Sequence, residues 1–436
     1  MTKTHYDQPE DNMLHKLSFE DALKALKLHP DCIDTAQITE QFLSEMEEGL
    51  EGRESSLLMI PSYMSAQGKI VPEEPVAVLD AGGTNLRVAS MKFSKEGEPQ
   101  LLDLKRLKMP GTESRISSKE MFAQFAEAVE PMIGENGLIS FCFSYAVEAL
   151  PGGEGKILGS LSKEVEVDGT DGLYIGRELS AALRERGVER PLSVYVLNDT
   201  VAVLYSALTA GADGAIGFIL GTGTNTAYME SASNIHNALP FEGDQMCINM
   251  ESGGFGLDPM GEIDIELNSE SRNVDEHLHE KHVSGVYLGE IMVRAAARLA
   301  AEGYFSETFR NAISGVKKFD MRDVGEFLGS RSGKLRELCG SQDDALNLEK
   351  LIIAVEERAG KLVAANLASV LIKMRRNGAE GSIPISENGT TFQKALPLRE
   401  ACLKELSRFT GKTGEYHLVT REDDTLVGSA AAAFLH

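Results

Sequence analysis

At 436 residues the chain exceeds one ordinary core, and two domains of roughly 200 residues each are expected. Its 42% hydrophobic and 25% charged residues are those of a soluble globular protein, and a net charge of −24 disfavours nucleic acid and anionic lipid as partners. Five scattered cysteines without a C-x-x-C pair argue for reduced thiols, and the absence of a signal core or membrane-length apolar run predicts a cytoplasmic protein with no membrane partner.

Residues 16–66 are predicted helical, because Leu17, Ala22, Leu23, Ala25 and Leu26, then Phe42, Met46 and Leu50, recur at helical spacing. Asp34 or Thr35 is the candidate cap of the second segment. Pro72 and Pro75 break the pattern, and strands follow at 76–81, 86–93 and 100–108, turning at Glu96-Gly97-Glu98-Pro99. A helix over 117–133 leads to the apolar strand Leu138 to Phe143, ending at Ser144. The loop Pro151 to Gly155 and a helix over 175–187 precede the strand Ser193 to Leu197, which stops at Asn198-Asp199-Thr200. Beyond a turn near 221–225 the chain is mostly helical, with long segments at 283–302 and 345–375. A strand from Ser382 to Ile385 meets Asn388-Gly389-Thr390, and the small residues Gly428 to Ala433 predict a close-packed helix. The order β-β-β-α-β-α occurs twice, which predicts two α/β lobes around a cleft, with a boundary near 205–212.

Two stretches share one pattern, an apolar strand, a Gly/Thr/Asn turn and a second strand. The first runs Val76 to Ala81 into Gly82-Gly83-Thr84-Asn85, the second Ile216 to Leu220 into Gly221-Thr222-Gly223-Thr224-Asn225. Paired glycines allow a tight turn whose amides stay bare enough to face an anion, and threonine hydroxyls add donors. One such turn is an ordinary hairpin. Two, each opening half of a chain, suggest a polyphosphate gripped from both sides and a nucleotide-dependent phosphotransferase.

Asp80 ends a wholly apolar strand, a position suited to holding hydrated Mg²⁺ against phosphate oxygens, although Asp beside Gly commonly only shapes a turn. Thr84, Asn85 and Arg87 beside it favour the functional reading. Any one residue of Asn198-Asp199-Thr200 is enough to cap the next helix; three polar groups at a strand tip leave Asp199 free to accept a proton while Thr200 caps. Glu251 sits among apolar and glycine residues and suits a buried hydrogen-bonding role, whereas Glu280 reads by itself as a surface residue. Gly411-Lys412-Thr413 lacks the glycine of a Walker A loop, and no Gly-x-Gly-x-x-Gly opens a dinucleotide site. His277, His279 and His282 miss metal-ligand spacing and read as solvated.

These motifs together resemble the hexokinase family, the sugar-kinase branch of the actin/heat-shock ATPase fold. The resemblance rests on Leu79 to Arg87, Asn198 to Thr200, Gly221 to Asn225 followed by Tyr228-Met229-Glu230, Ile248 to Glu251, and Glu280 to Glu290, in the family's order. It implies a two-lobed, ribonuclease H-like duplicated α/β fold with an interlobe cleft. The small lobe is expected at 71–208 plus 424–436 and the large lobe at 1–70 plus 209–423. Asp199 is implied as the general base for a hexose 6-hydroxyl attacking the γ-phosphate of Mg-ATP, with Lys163 as a catalytic cation. Ser144, Ser162, Lys163, Asn198, Asn225, Glu251 and Glu280 are implied as sugar contacts. Gly82, Gly83, Thr84, Asn85, Arg87, Gly221, Thr222, Gly223, Gly285, Gly389 and Thr390 are implied around ATP, and Asp80 holds Mg²⁺ through water. The chain departs from the family at Tyr145, at Leu161-Ser162 where Trp-Thr is usual, and at Ser252 where Trp is usual, so the reacting groups are kept while the sugar wall is reshaped. Glucose is the first expectation. Mannose, fructose or an amino sugar, and a non-catalytic sugar sensor on the same fold, are the alternatives.

Overall fold

A computed structural model describes residues 17–161, 164–212, 214–256, 261–410 and 415–436. Two sheets dominate it, and each follows from its sequence in the same way. The continuous apolar run Val76–Gly82 (β2) is covered on both faces, as the middle of a sheet requires. It pairs antiparallel with Asn85–Phe93 (β3), which pairs antiparallel with Pro99–Lys108 (β4). Leu138–Phe143 (β5) lies parallel to β2 on its other side, and Ser193–Leu197 (β6) lies parallel to β5. The spatial order is therefore β6-β5-β2-β3-β4.

The second sheet repeats that plan. Ile216–Leu220 (β7), Thr224–Ser231 (β8) and Gln245–Asn249 (β9) form the antiparallel meander, while Ile383–Asn388 (β10) and Tyr416–Val419 (β11) add parallel strands beside β7. A two-residue strand, Ile60–Pro61 (β1), extends the edge by pairing with Ile248 and Asn249. The chain thus carries one α/β topology twice, an actin-like ATPase fold.

Between the sheets cross Asp199–Leu208 (α5) and Asp424–Leu435 (α9), buried along most of their length. Their approach explains the small-residue tail: a Cβ on Gly428 would lie 1.7 Å from the Ala202 carbonyl, so only glycine fits the crossing. Ser118–Val129 (α3) and Ile175–Glu185 (α4) cover the outer face of the first sheet, with Phe122, Phe125, Leu179 and Leu183 in a core shared with Leu79, Val88 and Phe141. The larger core joins Phe19–Ala25 (α1), Thr35–Leu50 (α2), Gly285–Ala301 (α7) and the long helix Gln342–Arg376 (α8) to the second sheet.

Three expectations need correction. The N-terminal helical pattern ends at Leu50, with a 3₁₀ turn at Pro30–Cys32 inside it; Gly52, Met59 and Tyr63 then take positive φ and residues 60–61 are strand. Pro61 at a sheet edge suits a residue without an N–H to donate. The 283–302 segment is divided, because a short helix Leu278–Val283 (α6) ends before Ser284, whose extended backbone starts α7. Thr200 does not cap α5: Asn198 does, its side chain accepting the Thr200 N–H at 2.8 Å. Among the described residues no helix is long and apolar enough to cross a membrane.

Candidate active site

The register of the first sheet brings three strand ends level. Asp80 of β2 and Leu197 of β6 both pair with Cys142 of β5, so Asp80, Ser144 and Asp199 gather at one edge. Asp199 is the first residue of α5, half-buried, and its Oδ1 accepts the Thr200 N–H at 2.7 Å and the Thr200 hydroxyl at 3.2 Å. Burial pushes its carboxyl up to about 6, and the charges of Glu251 and Asp80 add to the rise while the Thr200 donors oppose it. A carboxylate poised there holds a proton loosely enough to act as a base near neutrality.

A cleft of about 840 Å³ separates the two sheets' ends. From the first sheet Ser144, Asn198 and Asp199 line it; from the second come Gly221, Thr222, Gly223, Asn225, Glu251, Glu280, Gly389 and Thr390. Asp80, Gly82, Gly83, Thr84, Asn85, Arg87 and Gly285 are not in that lining, although a Cβ on Gly82 would come 3.9 Å from Ser144 Oγ. Ser162, Lys163 and the Gly411-Lys412-Thr413 segment lie outside the described residues.

Glu251 has left-handed backbone (φ 55, ψ 49), which costs a non-glycine residue about 1–2 kcal/mol. Its surroundings hold it there. Asn225 and Asn249 each donate a side-chain N–H to Glu251 Oε1, at 2.9 and 2.8 Å, and the Ser252 N–H donates to Asn225 Oδ1 at 3.2 Å. Asn225 spends its second amide hydrogen on Asn249 at 2.8 Å. With Oε1 committed, the other oxygen of Glu251 is the one available to a hydroxyl-bearing ligand.

Glu280 is half-buried rather than solvated, and burial raises its carboxyl above the usual range. It accepts the Thr224 N–H at 3.0 Å beside Gly223. Two of the three histidines also turn inward, against the expectation from spacing. His277 is exposed, but His279 packs edge-on against Phe42 and Phe255, and His282 lies 3.6 Å from Asp264. The cause is α6, which packs against the Ser252–Gly254 turn and buries His279, Lys281, His282 and Val283. Among the described residues no cluster of three or more His, Cys, Asp or Glu is placed to hold a metal.

Both glycine turns share one construction. In the second, the Gly221 carbonyl accepts the Gly285 N–H at 2.9 Å and the Thr391 hydroxyl at 2.8 Å, which packs the start of α7 and the short helix Thr390–Lys394 after β10 against the turn. Gly389, at φ 109, passes so close that a Cβ would lie 2.3 Å from the Leu220 carbonyl. Among the described residues, the amides of Thr222 and Gly223, like those of Gly83 and Thr84, have no protein acceptor. Bare amides flanked by anchored carbonyls make an anion cradle.

Arg87 sits beside the first turn but donates its Nε to Asp80 Oδ2 at 2.8 Å, contacts Thr425 Oγ1 and lies 3.6 Å from Asp423. Its guanidinium orients Asp80. Sequence reading passed over Asn249, although it lies inside the quoted Ile248 to Glu251 motif, and over Thr425, which no local pattern ties to Asp80 across the chain. It also gave no role to Glu154, whose carboxylate accepts the N–H groups of Gly155 and Gly176 at 2.8 and 2.7 Å and fixes the 147–157 hairpin to the start of α4.

Family models described as hexokinase match residues 19–208 and 215–435. Hexokinase-2 of Oryza sativa subsp. japonica is 28% identical over 92% of this chain and 87% of its own length. Human hexokinase-3 is 29% identical over 87% of this chain, which spans 43% of that protein. In fold, the chain is similar to a hexokinase from Schistosoma mansoni complexed with glucose, with a TM-score of 0.72 at 24% identity, covering 95% of this chain and 98% of that one.

Proposed function

The chain belongs to the hexokinase family and is a hexose-phosphorylating kinase, and on that premise we propose that it transfers the γ-phosphate of Mg-ATP to the 6-hydroxyl of a hexose, with glucose first among the candidates. One observation carries the reading: Asp199, with its carboxyl raised to about 6, shares the cleft with Glu251, Glu280 and the second of the two glycine turns, which act as a first and a second phosphate clasp. Asp199 takes the proton of the attacking hydroxyl, a contribution of about 10²–10⁴-fold. Most of the remaining barrier is lowered by positioning and by neutralising phosphate charge.

Glu251, Glu280, Asn198 and Ser144 hold the sugar hydroxyls, and a sugar lacking one of those hydroxyls leaves a partner unpaired. Asn225 reaches the sugar chiefly through Glu251, since both of its amide hydrogens are already donated. Ser162 and Lys163 complete the sugar loop as the resemblance implies. The bare amides of the two turns, with Gly285, Gly389 and Thr390, receive the nucleotide. A single carboxylate beside a phosphate cradle fits Mg²⁺, which keeps most of its water and is bound largely through substrate phosphates. Asp80 would hold that ion through water, and the ion would supply charge neutralisation.

The lobes are assigned as 71–208 plus 424–436 and 1–70 plus 209–423, moving about the α5–α9 crossing to exclude water when sugar binds. A panel of glucose, mannose, fructose and glucosamine, read as ADP release, tests the proposal. Glucose turnover with the highest kcat/KM is expected. Sugar binding without turnover on any of the four would favour the sensor instead.

A further inference from the structure

The first clasp is anchored by its carbonyls, and one anchor comes from the segment facing the sugar. The Thr84 carbonyl accepts the Met109 N–H at 2.9 Å, and the Gly83 carbonyl accepts the hydroxyl of Tyr145. Tyr145 lines the cleft directly after Ser144. Its ring packs on Phe143, with centroids 4.9 Å apart, and the Ser144 N–H donates to the Ala81 carbonyl at 3.1 Å. The segment from 143 to 145 therefore runs along the turn and is not free to move independently of it.

A trans peptide is planar, so holding the Gly83 carbonyl fixes the direction of the Thr84 N–H on the opposite side of the plane. Gly83 is exposed at φ 55, a conformation in which glycine imposes little resistance to reorienting that plane. The plane needs an anchor from outside the turn. Burial, helped by the charge of Glu164, pushes the Tyr145 phenol up to about 12, so it stays a donor at any physiological pH.

We infer that Tyr145 is a positioning residue that locks the Gly83–Thr84 peptide, so that the segment meeting the sugar sets how the first clasp receives nucleotide phosphate. The inference rests on the phosphotransferase reading above. It makes sugar and nucleotide affinities interdependent through one hydroxyl. Tyr145→Phe keeps the ring on Phe143 and removes only the anchor.

The test is calorimetric titration of wild type and Tyr145→Phe with a non-hydrolysable ATP analogue, with and without glucose, alongside glucose alone and steady-state kinetics. Loss of one hydrogen bond is expected to weaken nucleotide binding in the presence of glucose by about threefold to tenfold and raise KM for ATP in step. Glucose affinity measured alone should stay within about twofold. Unchanged nucleotide affinity overturns the inference, and so does a loss confined to glucose, which would make the hydroxyl a sugar ligand. Wild-type turnover separates the two levels: its absence removes the phosphotransferase reading, whereas its presence with unaltered variant binding removes only the role of Tyr145.

Discussion

Gly223 and Glu280 are in contact across the second clasp: a Cβ on Gly223 would lie 2.7 Å from Glu280 Oε2, the same oxygen that accepts the Thr224 N–H at 3.0 Å. Glycine at 223 therefore serves two ends, a tight phosphate turn and room for a sugar-facing acid. Gly223→Ala should displace the carboxylate and break its bond to Thr224. The loss of a hydrogen bond to a charged group, about 1.5–3 kcal/mol, corresponds to roughly a tenfold to hundredfold rise in sugar KM. Steady-state kinetics with sugar and ATP varied separately would check it; a KM for sugar within twofold of wild type would separate Gly223 from Glu280.

Asn249 is expected to act on the sugar through Glu251. Asn249→Ala removes one of two donors to Glu251 Oε1 and loosens a residue with left-handed backbone. Sugar KM should rise by about tenfold while KM for ATP holds steady. Asn249→Asp should be worse than Asn249→Ala, because it places a second negative charge against Glu251. The reverse ranking would show that the amide acts by packing alone.

The acid limb of the rate profile belongs to Asp199. Its carboxyl is raised to about 6 by burial first and by neighbouring charge second, and it works as a base only when ionised. The value of kcat/KM for sugar should therefore be full above that pH and fall about tenfold per unit below it. Glu251→Gln removes one of the charges that raise it and should move the limb to lower pH, whatever it does to sugar affinity. An unmoved midpoint would assign the limb to another group.

Stability should fall on the acid side because of His279. Burial, then the charge of His282, holds its imidazole down to about 3, against about 6.5 in the unfolded chain. The folded state keeps the ring neutral, so stability is full above the unfolded value and declines as pH falls towards the folded one. Between pH 7 and 5 the loss from this group is about 2 kcal/mol. The half-buried Asp199 and the buried Glu356, acids with raised pKa values, act in the opposite direction and remain in both proteins. The comparison of wild type with His279→Leu therefore isolates the ring: thermal melting of the variant should depend less on pH over this range.

Repetition made the fold legible in the sequence. The apolar runs ahead of Gly82 and Gly221 are each buried centrally in a sheet, and the small residues at 428–433 announce a close helix crossing. Local pattern failed where packing decided the outcome. Apolar spacing near residue 60 suits a helix as well as an edge strand, and only the pairing with Ile248 and Asn249 selects the strand. The burial of His279 depends on Phe42 and Phe255, both distant in sequence. Arg87 is implied around ATP by its motif, but its hold on Asp80 emerges only when Asp423 and Thr425 are brought around it. Neighbours of this kind have no one-dimensional signal.

The most direct measurement is the turnover of Asp199→Asn on glucose at pH 7.5, with glucose affinity measured in the same preparation. Removal of the base with its shape kept should lower kcat by about 10²–10⁴-fold and leave glucose affinity within a few-fold. A kcat near the wild-type value would show that proton removal happens elsewhere, and the assignment of the strand-tip aspartate would fall.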